Sequence, residues 1–206
     1  MDVSFNSFLD LIDVDSFSSS SSFSRLKALK LSSNGIRFLH PRCFQPLVNL
    51  DILDLSVNRI SELGGGGRGS GRSGGGVGIG GVFRNLQCLV SLNLSGNRLQ
   101  VLRNGDLTGL SSLEELDLSS NRLVGIDSKA FDDLTTPSLK KLNLADNRLQ
   151  AIPDFALSKL TNSLKSLNLD GNQIRELKGE EFCSKDLVIG ECGFRKLEHL
   201  SLDRNG

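Results

Sequence analysis

One sentence is written seven times along this chain. Leu26-Lys-Ala-Leu29-Lys-Leu31-Ser-Ser-Asn34-Gly-Ile36 has the form L-x-x-L-x-L-x-x-N-x-L, and the form returns at Leu50, Leu89, Leu113, Leu139, Leu164 and Leu197. The steps between first leucines are 24, 39, 24, 26, 25 and 33 residues, and both long steps contain visible insertions. A base period near 24 fixes the architecture before any local reading, because each unit is too small to bury its own apolar face. Stacking is the remaining solution. It builds one continuous core and a surface suited to binding rather than to catalysis.

Counting from the first leucine of each rung, positions 4 and 6 are leucine throughout: Leu29 and Leu31, Leu53 and Leu55, Leu92 and Leu94, Leu116 and Leu118, Leu142 and Leu144, Leu167 and Leu169, Leu200 and Leu202. Residues two apart share one face of a strand, so positions 3, 5 and 7 face solvent. Successive rungs are expected about 4.8 Å apart in a parallel sheet. Position 9 is asparagine every time: Asn34, Asn58, Asn97, Asn121, Asn147, Asn172 and Asn205. The chain leaves the strand there, and a buried amide satisfies backbone donors and acceptors together. That makes the column structural. Apolar residues at positions 14, 19 and 22, such as Ile126, Phe131 and Leu134, close the core on the opposite side.

These residues resemble the typical subclass of leucine-rich repeats, L-x-x-L-x-L-x-x-N-x-L-x-x-L-x-x-x-x-F-x-x-L-x-x, from Leu26 to Asn205. That subclass is similar to the ectodomains of animal Toll-like receptors, neuronal adhesion receptors and small matrix proteoglycans. The G-x-I-P turn of the plant version is touched only by Ala151-Ile152-Pro153. The resemblance implies an α/β-type solenoid, a horseshoe with a concave parallel β-sheet and an irregular or short-helical convex side. It also implies an extracellular recognition module, and the chain reads as a piece of a longer protein. Two domain segments are expected. Residues 1–25 form a Ser-rich segment or degenerate cap, with Phe23 in the position-22 phase, and residues 26–206 form a solenoid of about seven rungs.

The chain holds 24 basic and 24 acidic residues, so no net field favours nucleic acid or an acidic membrane. No apolar run of about 18 residues is present to cross a bilayer. The N-terminus lacks a basic start and is a poor signal peptide. Extracellular or cell-surface placement within a longer chain is therefore the expectation, with a cytoplasmic scaffold, adaptor or enzyme-regulatory subunit as the alternative.

Two insertions interrupt the period. The Gly-rich stretch 64–81 adds 15 residues between Leu63 and Phe83 and is expected to be a disordered loop. Its Gly76-Val-Gly78-Ile-Gly-Gly81 satisfies G-x-G-x-x-G literally, but no strand-turn-helix unit surrounds it. Arg68 and Arg72 are too few, and lack the interleaved aromatics, for an RNA-binding segment. The second insertion, 183–193, adds nine residues between Phe182 and Phe194, with Cys183 and Cys192 just inside its ends. A disulfide there would close the loop at its neck in an oxidising compartment. The other reading is two ordinary thiols. No bond is expected between Cys43 and Cys88, and no C-x-x-C pair suggests zinc.

Binding is expected on the concave face, against another protein or a glycan. The candidate residues are Asn93, Glu115, Asp117, Lys141, Asn143, Ser166, Asn168, His199, Ser201 and Asp203. Asn93-Leu94-Ser95 is the single N-glycosylation sequon, so a glycan on Asn93 would cover part of that face. Arg59, Arg98, Arg122 and Arg148 form a column after the asparagines and read as solvated turn residues, with an anionic glycan or acidic protein as the alternative. His40 and His199 lie in different rungs on opposite faces, and no serine has a base and orienter. No catalytic, cofactor or metal site is expected.

Overall fold

The computed structural model describes residues 1–6, 10–13, 16–17, 21–64, 81–134, 138–177 and 193–206. It is a parallel-sheet solenoid with little helix, as the repeat dictates. Eleven short strands are present among the described residues: β1 (Leu11–Ile12), β2 (Ala28–Lys30), β3 (Phe38–Leu39), β4 (Ile52–Asp54), β5 (Ser91–Asn93), β6 (Val101–Leu102), β7 (Glu115–Asp117), β8 (Gly125–Ile126), β9 (Lys141–Asn143), β10 (Ser166–Asn168) and β11 (His199–Ser201). One seven-stranded sheet runs β2-β4-β5-β7-β9-β10-β11, all parallel. Two-stranded pairs β1-β3 and β6-β8 flank it, and among the described residues the convex side carries a short α-helix, α1 (Asp154–Leu157), continued by a 3-10 turn at Ser158–Leu160.

Each sheet strand covers positions 3 to 5 of its rung, with a leucine at the centre. From β2 to β10 these six leucines are at most 2% exposed, and the leucines at position 6 are buried equally well. β11 is the outer strand, and its Leu200 is 42% exposed because only β10 covers it. Opposite the sheet, position 19 forms a second spine. Phe17, Phe44 and Phe83 stack with centroids 6.1 and 6.3 Å apart.

The position-9 asparagines join rungs as well as turning the chain. The Asn121 Nδ2 group donates to its own Leu118 carbonyl at 3.1 Å and to the Leu94 carbonyl of the preceding rung at 2.9 Å. Its Oδ1 accepts the Leu99 N–H, again from the preceding rung, at 3.0 Å. Asn58, Asn97, Asn147, Asn172 and Asn205 repeat the scheme.

Position 8, just before each asparagine, is left-handed in every rung: Ser33, Val57, Gly96, Ser120, Asp146, Gly171 and Arg204 have φ between 53° and 66°. This conformation swings the chain from the sheet toward the core while, in the first six rungs, its N–H still donates to the next rung, as in Val57 N to Ser95 O at 2.8 Å. Only two of the seven are glycine, so most rungs bear a steric cost to make the turn.

The described part of the N-terminal segment continues this pattern. Val3 N–H donates to Lys30 O and Lys30 N–H to Met1 O, both at 3.0 Å, and Asn6 N–H donates to Asn34 Oδ1. Phe5 takes the left-handed position, and Ile12 and Phe17 enter the core.

Candidate functional site

The register of the sheet turns the repeat into columns. Asn93, Asp117, Asn143, Asn168 and Ser201 are successive partners at position 5. Ser91, Glu115, Lys141, Ser166 and His199 are the equivalent line at position 3. Between them lies an open depression of about 390 Å³, which brings together Asn93, Glu115, Asp117, Lys141, Asn143, Ser166 and Asn168. His199, Ser201 and Asp203 do not line it, and Ser91 does although the sequence reading passed over it. Apolar Ile52, 45% exposed, pairs with Ser91 beside its rim.

Electrostatics across the face are local. Lys141 Nζ lies 2.7 Å from Glu115 Oε1, and that hydrogen bond raises the lysine pKa above its ordinary value. One position earlier, Lys140 pairs with Glu114 at 2.6 Å, Lys165 with Glu198 at 2.8 Å and Lys27 with Asp51 at 3.1 Å. Lys165 holds the Glu198 carboxyl below its usual range, the hydrogen bond being the main cause. Each pair links adjacent rungs, and all are exposed enough that water and salt screen them.

The position-5 side chains have a duty the sequence did not reveal. Asn93 Oδ1 accepts the N–H of Ser95 at 2.9 Å, and Asp117 accepts that of Ser119 at 2.9 Å. Asn143 does the same for Ala145 at 3.1 Å and Asn168 for Asp170 at 2.9 Å. These are Asx turns, which close the backbone where it leaves the strand. One oxygen of each candidate is therefore committed to the fold. Among the described residues, no intramolecular hydrogen bond is made by the amide nitrogens of Asn93, Asn143 and Asn168 or by the second oxygen of Asp117. The repeating Asx-Leu-x-x-Asn order was the available signal.

Other candidates fall elsewhere. His40 Nδ1 accepts from Arg42 N–H at 3.2 Å in a turn after β3, remote in sequence and sheet position from His199. Cys43 is buried and Cys88 exposed, and both are free thiols. Burial pushes the Cys43 thiol up to about 12. Cys183 and Cys192 lie outside the described residues, as do residues 65–80 of the Gly-rich insertion. Among the described residues, no group of three or more His, Cys, Asp or Glu side chains is placed to hold a metal ion. No helix among them is long and apolar enough to cross a membrane.

Comparison with known families agrees with this geometry. The family described as "Leucine rich repeat" matches residues 1–60 and 80–136, and "Leucine Rich repeats (2 copies)" matches residues 137–182. The chain belongs to the leucine-rich repeat family. Among similar leucine-rich repeat proteins, epiphycan of Gallus gallus is 34% identical over 84% of this chain and 46% of its own length. Lumican of Gallus gallus is 28% identical, covering 87% of this chain and 52% of lumican. Toll-like receptor 5 of Homo sapiens is 31% identical over 70% of this chain and 16% of the receptor. The chain spans about half the length of the first two relatives. These relatives belong to the animal extracellular class that the repeat resembles.

Proposed function

We propose that this leucine-rich repeat chain is a non-catalytic recognition module of an extracellular or cell-surface protein, and that it binds a partner protein through the concave depression. The supporting observation is the depression itself. Hydrogen-bonding groups from four rungs converge there on a rigid sheet, beside the exposed apolar Ile52. Backbone ladders hold the strands in place, so few side chains must be ordered on binding and the entropic cost is small. The mixed Glu115, Asp117 and Lys141 charges suit a partner with both signs on its surface.

Asn93 lines the same depression, so the state of its sequon bears on this reading. A glycan on Asn93 would cover the β5 end and restrict the partner to β7, β9 and β10. The Cys183–Cys192 bond and glycan occupancy distinguish an extracellular module from an intracellular scaffold. Mass mapping of secreted material without reduction reads both.

The test is a binding screen of the full chain against extracellular protein domains, followed by charge reversal. Glu115→Lys, Asp117→Lys and Lys141→Glu are expected to weaken a captured partner at least about tenfold, the loss typical of buried interface charges. Reversals at convex positions such as Lys129→Glu are expected to change little. If the three concave reversals leave every captured partner unaffected, this face is not the binding surface.

A further inference from the structure

We infer that the arginine column Arg59, Arg98, Arg122 and Arg148 is a docking strip for a linear sulfated polysaccharide, separate from the concave depression. All four side chains are exposed, and none takes part in an ion pair among the described residues. Their spacing is set by the backbone. Arg59 N–H donates to Ile36 O at 2.7 Å, Arg98 to Ile60 O at 2.8 Å, and Arg122 and Arg148 to Leu99 O and Leu123 O at 2.9 Å. Each bond runs to the preceding rung, so the side chains leave the same point of four consecutive rungs. The neighbouring asparagine ladder holds that point rigid. With rungs about 4.8 Å apart, the column is about 14 Å long.

The pattern of sign is what sets this column apart. Several stacked cations elsewhere meet an acid on a neighbouring rung: Lys27 with Asp51, Lys140 with Glu114, Lys141 with Glu115 and Lys165 with Glu198. At the arginine column the same sign repeats four times in a chain of zero net charge. Over positions 10 to 13 of these rungs, Glu62 is the single acid. Asp146, next to the column, is already engaged by Arg204 at 3.4 Å. The rung spacing of about 4.8 Å is shorter than the Debye length of about 8 Å at physiological ionic strength, so the fields of cations on adjacent rungs add.

A regular line of cations on a straight edge matches a polymer with regularly spaced anions. A sulfated glycan carries anionic groups along its length, and one sugar advances the chain by a step comparable to one rung. Guanidinium forks engage tetrahedral oxyanions with two parallel hydrogen bonds. Single-stranded nucleic acid would also require aromatic platforms for its bases. Positions 10 to 13 of these four rungs contain no aromatic residue.

The test uses the full 206-residue chain and a heparin oligosaccharide long enough to span four rungs, with affinity measured from about 0.05 to 0.2 M NaCl. Wild type is expected to bind with a steep salt dependence. Replacing Arg59, Arg98, Arg122 and Arg148 together by Gln is expected to weaken binding about tenfold or more and to make the log–log salt slope shallower by about three. A control with the same charge loss elsewhere (Lys27, Arg42, Lys129 and Lys165 to Gln) is expected to lose less than about threefold. The double variant Arg98→Gln with Arg122→Gln gives an intermediate slope and guards against misfolding of the quadruple one. Equal losses in the column and control variants would overturn the proposal, as would no heparin binding by wild type. Single-stranded DNA that competes for the same arginines with equal affinity would overturn the assignment to a glycan.

Discussion

Replacing Asn121 by Asp changes one atom's chemistry in the middle of the asparagine ladder and almost nothing of its shape. Asn121 is 7% exposed, and its Nδ2 serves the carbonyls of Leu94, Leu118 and Ser119 at 2.9, 3.1 and 3.2 Å. Leu94 and Leu118 each keep a second donor, from Asn97 and Asn147, so neither carbonyl is fully orphaned. Losing the two shorter bonds then costs about 1 kcal/mol each. Confining an anion against three carbonyl dipoles costs about 2 kcal/mol more, after allowing for a stronger bond from Leu99 N–H. The total is about 4 kcal/mol at neutral pH. The last 2 kcal/mol corresponds to a carboxyl pKa raised by about 1.5 above its unfolded value near 3.9. The sign follows from linkage: the folded state holds the proton over this window and the unfolded state does not, so stability falls as pH rises from about 4 to about 5.5 and is flat beyond. Asn121→Ala is expected to cost about 3 kcal/mol with no such dependence. The chain has no Trp or Tyr, so urea unfolding is followed by far-UV circular dichroism at about pH 4 and pH 7. A loss below about 1 kcal/mol for Asn121→Asp, or identical pH behaviour of the two variants relative to wild type, would refute this account of the ladder.

Val57 is a β-branched residue at φ 53° and is largely exposed, so Val57→Asn is expected to stabilise the protein by about 1 kcal/mol, read as an increase in urea midpoint at unchanged slope. Cys43, buried with its thiol pushed up to about 12, is expected to resist alkylation in the folded protein while Cys88 reacts, with peptide mapping as the readout. Because the raised pKa keeps Cys43 protonated in the folded state, its contribution to stability is complete below the ordinary value of 9.0. That contribution is lost as pH climbs toward about 12, a decline that Cys43→Ala is expected to remove.

The residues that made the fold legible are those whose role depends on period alone. Leucines at positions 4 and 6 and asparagine at position 9 are identical in all seven rungs, so sheet, core and turn could be read without knowing any neighbour. Position 8 was not legible. Gly96, Gly171 and Asp146 hint at a left-handed residue, but Ser33, Val57, Ser120 and Arg204 adopt the same conformation without a favourable side chain. At Ser33, Val57 and Ser120 the ladder bond to the next rung overrides local preference. The N-terminal coil was obscured for a similar reason. Val3, Asn6, Ile12 and Phe17 occupy repeat positions, but their spacing departs from the period, so only hydrogen bonds to Lys30 and Asn34 reveal the phase. On the candidate site, outward direction was legible from alternation. The limits of the depression were not, because they depend on how far each side chain reaches across the sheet.

The Asx turns allow folding and recognition to be separated at one residue. Asn168 uses Oδ1 to accept from Asp170 N–H and leaves Nδ2 for the depression. Asp117 makes the same turn with a carboxylate, and Asp54 does so for Ser56 at 2.9 Å, so the turn accepts either side chain. Asn168→Asp therefore retains the bond that closes the rung while exchanging an outward donor for an outward acceptor. Its stability is expected to stay within about 0.5 kcal/mol of wild type, whereas Asn168→Ala loses the turn and about 1 kcal/mol. Binding is expected to follow the opposite order of severity. The aspartate variant presents an anion where the partner met a donor, a repulsive change, while the alanine variant merely removes a contact. A partner that tolerates Asn168→Asp better than Asn168→Ala would show that Asn168 acts only through the turn, and that recognition at this rung comes from its neighbours.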